Sequence, residues 1–181
     1  MNNDTIAILY LESIQRLFSY YKALGSKAMA QLKDEDMNRH ANEESNSIAI
    51  IVKHLHGNML SRWKDFLTSD GEKPWRNRDG EFEGIVKTRA EVIKLWDEGW
   101  DCLFHTLSEL KPADLDKIVY IRREGQTVME AINRQVAHYC YHVGQIVYLA
   151  KELKGNEWVS LSIPKGKSGE FNKQNLGQKK N

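Results

Sequence analysis

The sequence predicts an all-α protein, a four-helix bundle with a short β-hairpin or a strand-like connection ahead of the last helix. Three observations carry this. Apolar residues recur at spacings of three and four over four long stretches, the period of a one-sided helix. The three prolines, Pro74, Pro112 and Pro164, fall only between those stretches, where they cost no helical hydrogen bond. The run Ile118, Val119, Tyr120, Ile121 is rich in β-branched residues, and Arg123-Glu124-Gly125-Gln126 after it supplies a turn.

The first helix is expected from Thr5 to Leu32, with Asp4 as N-cap and Ile6, Leu9, Tyr10, Ile14, Leu17, Tyr21 and Leu24 as its apolar stripe. A polar connection, Asp34 to Asn46, separates it from a second helix that starts at Asn46 or Ser47 and runs to Leu67. Thr68 to Gly84 then reads as a long irregular loop, a kind of segment that often carries function. The third helix spans Arg89 to Leu110 and offers Val92, Ile93, Leu95, Trp96, Trp100, Leu103, Phe104 and Leu107 to the core. The fourth runs from Val128 to Leu153, with Gly155 as its stop. Connections of these lengths allow at least one crossover in the bundle. Residues 1–158 are read as one domain, and 159–181, rich in Gly and Lys, as a polar extension.

Lys and Arg total 26 against 25 for Asp and Glu, so the chain exerts no general pull on nucleic acid or anionic membrane. No apolar run approaches the ~18 residues of a membrane span. Cys102 and Cys140 lie far apart without CxxC spacing, which suits reduced thiols. The opening MNNDTIAILYLESI has neither a basic start nor a continuous apolar run, so no signal peptide is expected and the cytoplasm is the expected compartment.

The chemistry concentrates in HYCYHVGQI on the fourth helix. His138 and His142 lie about 90° and about 50° from the centre of that helix's apolar stripe, on one margin of it. Four residues apart, they project the same way and can share one divalent ion, as on the helix of HExxH proteases. Tyr139 stands where that motif carries glutamate, so a protease of that kind is rejected. HxxxH by itself also fits two hydrogen-bonded histidines. A third ligand would decide, and His54 and His56 on the second helix lie about 160° apart, so one ion cannot take both. Periodicity does not choose between them.

HYCYHVGQI is similar to the H-x-x-x-H-R-G-Q signature that closes the last long helix of the DinB-like (YfiT-like) superfamily. IVKHLHGNMLSRWKDFLTSDGEKPWRNRDGEFE and SLSIPKGKS resemble a branch of it known only as a domain of unknown function, and the likeness covers about residues 5 to 170. Val143 departs from the arginine that many relatives carry. The resemblance implies a four-helix bundle holding one divalent metal, nickel or zinc, through His54, His138 and His142. It also implies a homodimer and, in some relatives, an S-transferase that joins a low-molecular-weight thiol to an electrophile. Three neutral imidazoles leave a coordination position open, as in catalytic rather than structural sites.

Around those positions, Asn58 and Arg62 follow His54 at successive turns, and Gln145 shares the side of His138 and His142. Each is a candidate to hydrogen-bond a ligand ring or touch substrate; Asn58 equally suits an amide that caps a neighbouring loop, and for Arg62 a structural ion pair is the favoured reading. The Trp75–Glu83 segment reads either as a lid or as a self-paired network, and its nearly cancelling charges favour the network. The expected partner is a small molecule, a thiol in the transferase reading, with neither nucleic acid nor membrane. The competing reading is a non-catalytic bundle that binds a metal or small ligand. No residue announces itself as a general base.

Overall fold

The structure, a computed structural model, describes residues 3–176, with side chains from 4 to 173. Its order is α1 (Asn3–Met29), α2 (Ile48–Trp63), α3 (Arg89–Glu109), β1 (Ile118–Ile121), β2 (Glu124–Thr127), α4 (Val128–Lys154) and α5 (Ser168–Leu176), with short 3-10 turns in the connections. The protein is mostly helical, with five helices and one two-stranded antiparallel hairpin among the described residues. No helix among them is long and apolar enough to cross a membrane.

Local chemistry sets most helix ends. Ser47 accepts a hydrogen bond from the Ile50 amide and starts α2. Thr88 with Glu91, and Thr127 with Glu130, form reciprocal capping boxes for α3 and α4. Gly155 stops α4 at φ 52°, a backbone region that disfavours other residues. Three expectations shift. Asp4 lies inside the first turn of α1 rather than capping it. The buried stripe of α1 passes through Leu11, Ile14 and Phe18, while Ile6 and Leu9 stay 55% and 47% exposed. This helix carries apolar residues on more than one side, so spacing alone does not choose the stripe. α2 stops at Trp63, short of Leu67, because Asp65 takes φ 53° and the chain folds back to bury Phe66.

The hairpin forms where the β-branched run predicts it, but its turn falls one step earlier. Arg122 and Arg123 sit at the turn with φ 55° and 66°, and Glu124 to Thr127 is strand. Two positive φ values are what a two-residue hairpin turn requires, although Asn-Gly fills it far more easily. Asp70 compensates, its carboxylate accepting the Arg122 and Arg123 amides at 2.9 and 2.8 Å.

In the packing, α2 lies chiefly on α3 and α1 on α4, and α2 also touches α4. One aromatic residue from each long helix meets at the centre. Phe18 lies edge-on to Trp63 and Trp100, and Tyr139 lies 5.9 Å from Phe18 and 5.8 Å from Trp100, centroid to centroid. Such tilted and edge-on pairs add specificity beyond the apolar area they bury. Tyr139 is thus core, and it fixes the rotation of α4 that determines where His138 and His142 point. Trp96 is also buried, while Trp75 is 54% exposed. Cys102 and Cys140 are free and half-buried. The segment after α4 is tied back to the turn that follows α1, with Gln31 both donating to and accepting from the Val159 backbone.

Candidate metal centre

α2 and α4 bring together His54, His138 and His142. The His138 Nε2 lies 3.3 Å from the His54 Nε2 and 3.1 Å from the His142 Nε2, and one ligand atom from each ring falls within 4.8 Å of the others. The outer nitrogens of two rings are tied down. His54 Nδ1 lies 2.9 Å from Glu81 Oε2, and His142 Nδ1 lies 2.8 Å from Gln145 Oε1. Both partners are acceptors, so each ring carries its proton on Nδ1 and turns the Nε2 lone pair toward the shared point. Burial pushes the His138 pKa down to about 3, assisted by His142, His54, Arg62 and Arg76 nearby. Burial also lowers the pKa of His142, more than its bond to Gln145 raises it. His138 and His142 are therefore neutral at pH 7, as metal ligation requires. Three ring nitrogens facing one point form a group that could hold a metal ion.

Glu81 does more here than its place in a charged loop suggests. It is 6% exposed, and Arg76 grips it in a two-point pair, Nε to Oε1 at 2.7 Å and Nη2 to Oε2 at 2.9 Å. Burial alone would raise its pKa, but the bonds to His54 and Arg76 outweigh that and hold it below the ordinary carboxylate value. The carboxylate lies against α2 only because position 57 is glycine, since a Cβ there would run into Glu81. The Trp75–Glu83 segment is therefore both of the things expected of it, self-paired and laid over the histidines. Phe82 adds a ring 5.0 Å from His54, and Lys53 binds the Gly80 and Glu83 carbonyls at 2.6 Å each.

The remaining candidates sort clearly. Gln145 holds a histidine ring, as expected. Asn58 holds none; its Oδ1 accepts the Tyr139 hydroxyl at 3.0 Å, and that hydroxyl accepts Trp63 Nε1 at 2.9 Å. Arg62 is buried and donates to the Gly71 carbonyl and to Glu72, so its structural role is real. Both Asn58 and Arg62 also line a cavity of about 360 Å³ over the histidines, with Arg76, Arg78, Phe82, Arg122, Arg134, Gln135 and Tyr141. His56 points the other way, 3.3 Å from Glu98 of α3, and the exposed His40 and His105 lie near Asn42 and Glu109.

Sequence reasoning missed Gln135, Arg122 and Arg134 as neighbours of the site, and it placed Arg76 and Glu81 in a segment that could cover the site without giving either a contact there. Gln135 was findable, because it precedes His138 by three residues on the same helix. Arg134 was findable in the same way, four residues before His138 on α4, whereas the others come from irregular segments that no period marks.

The fold and site define a predominantly helical protein with a buried-edge group of three histidines that could hold a metal ion. The chain belongs to the family described as "Protein of unknown function (DUF1572)", whose model matches residues 5–167. A search of the curated proteins finds no match.

Proposed function

We propose that this protein is a divalent-metal-dependent enzyme of the DinB-like four-helix-bundle type, acting on a small molecule, with His54, His138 and His142 as ligands to one nickel or zinc ion. The supporting observation is the pair of tethers: Glu81 and Gln145 fix the tautomers of His54 and His142 so that both Nε2 lone pairs face His138. Acceptors that hold the outer nitrogens of ligand rings are the usual companions of a metal site.

A cation held there supplies Lewis acidity and lowers the pKa of a thiol or water that reaches it. The chain's own residues do the rest. Phe82 and Tyr141 line the cavity with the histidines, and Arg62, Arg76, Arg78, Arg122 and Arg134 bring positive charge to it. Glu72 and Glu81 are both engaged by arginine, so neither stands ready as a general base. That favours a reaction whose nucleophile ionises readily, and transfer of a low-molecular-weight thiol to an electrophile is the reading we adopt. Residues 1–158 are taken as the catalytic domain, 159–181 as its extension, and a cytoplasmic homodimer as the working form.

Elemental analysis of purified protein beside His138→Ala tests the metal. About one equivalent in the first and little in the second is expected, and equal content in both would remove the site. A thiol-plus-electrophile panel on the metal-loaded protein then tests the reaction. Metal that raises thermal stability without turnover on any pair would leave a non-catalytic binding protein.

A further inference from the structure

Five of the chain's nine arginines line the cavity over the histidines, although the chain as a whole is nearly neutral. They arrive from four separate places: Arg62 from α2, Arg76 and Arg78 from the connection after it, Arg122 from the hairpin turn and Arg134 from α4. Lysines outnumber arginines in the sequence, yet none lines this cavity among the described residues. The guanidinium fork, which binds carboxylate or phosphate at two points, has been used throughout in place of the ammonium.

The protein's own carboxylates do not answer all this charge. Glu81 pairs with Arg76, and Glu72 is shared between Arg62 at 3.3 Å and Arg122 at 3.0 Å. Arg78 lies over the Phe82 ring at 5.7 Å, and neither it nor Arg134 forms an ion pair among the described residues. Like charges gathered at one mouth repel, and an anion seated among them relieves this.

A second, independent observation points to a ligand. Gln135 lines the same cavity, is only 4% exposed, and its Oε1 is buried without a hydrogen-bond partner. An orphaned acceptor at a cavity wall one turn from His138 is satisfied by a donor that enters with a guest.

Deepening the proposed function, on whose substrate cavity it rests, we infer that this mouth is an anion subsite: Arg78, Arg122 and Arg134 seat a carboxylate- or phosphate-bearing small molecule beside the histidines, and Gln135 accepts a hydrogen bond from an O–H or N–H of it. The substrate class is thus a small anion with a donor near its charge.

The test is calorimetric titration of inorganic phosphate and, separately, malonate into the full-length protein and into His138→Ala, near pH 7. Both anions are expected to bind both proteins, because the subsite does not need the metal. Phosphate tighter than malonate would assign the natural group as a phosphoryl ester, and the reverse as a carboxylate. Combining Arg78→Gln with Arg134→Gln is expected to weaken binding about tenfold, whereas Arg16→Gln with Arg39→Gln, the same charge change elsewhere, should alter it less than about twofold. Gln135→Leu should weaken monohydrogen phosphate, which carries an O–H, by roughly threefold and leave malonate unchanged. No binding of either anion, or equal weakening by the two arginine pairs, overturns the subsite. Metal binding without anion binding sinks the subsite alone, and anion binding to a protein that takes no metal sinks only the metal reading.

Discussion

Glu81 reaches 27 residues back along the chain to accept the Nδ1 proton of His54 at 2.9 Å, while Arg76 clamps the same carboxylate from the other side. This one contact orients a ring, sets its tautomer and anchors the long connection between α2 and α3.

Replacing Glu81 separates those duties. Glu81→Gln keeps an oxygen near His54 but loses the charge, and metal affinity measured by chelator competition is expected to fall about 10- to 100-fold. Glu81→Ala also leaves Arg76, whose side chain is 2% exposed, without its partner. Urea unfolding of the metal-free protein should then show a loss of about 3–5 kcal/mol. Unchanged metal affinity in the Gln variant would show that His54 does not need this tether.

Gly57→Ala inverts a familiar expectation. Alanine within a helix usually stabilises by about 1 kcal/mol over glycine. Here its methyl meets the Glu81 carboxylate, so both the unfolding midpoint and metal affinity should drop. A more stable variant with intact metal binding would mean that Glu81 can move away at no cost.

Tyr139→Phe probes the core beneath the site. It strands Trp63 Nε1 and Asn58 Oδ1, both buried, at a cost of about 1–3 kcal/mol by denaturant titration. Metal affinity should stay within a few fold, since Tyr139 touches no Nε2 of the cluster. A large loss of metal with little loss of stability would assign the hydroxyl to the site instead.

Asp70 makes the hairpin turn sensitive to acid. Burial is the largest single influence on its pKa and raises it, but the amides of Glu72, Arg123 and Arg122, together with Arg62, outweigh burial and leave it below its ordinary value of 3.8. A depressed folded pKa means that the stabilisation is fully present above the unfolded value and is lost as pH falls through the folded one. Asp70→Asn should therefore be less stable than wild type at pH 7, and the gap should close as pH falls below about 4. A gap of constant size from pH 7 to pH 3 in urea titrations would mean that the charge of Asp70 is irrelevant to the turn.

How far the sequence reaches differs from feature to feature. The apolar stripes of α2, α3 and α4 were legible because each repeats at helical spacing, and Thr88, Thr127 and Gly155 mark ends by local hydrogen bonding and backbone geometry. The hairpin was legible from its β-branched strand, but its turn was not. Arg122 and Arg123 hold positive φ only because Asp70, some fifty residues earlier, accepts their amides.

The amino-acid sequence by itself determined four long helices and placed His138 and His142 one turn apart on α4, since both follow from interactions between residues near each other in the chain. Only the tertiary structure decided between His54 and His56. The packing of α2 turns His54 toward α4 and Glu81, and His56 toward Glu98 of α3, and two residues a half-turn apart are equivalent until neighbours on each side exist. The same holds for Glu81 and the arginine-lined mouth. Their residues come from irregular connections and separate helices, where no period records a neighbour, and long-range contact alone brings their charges to one place.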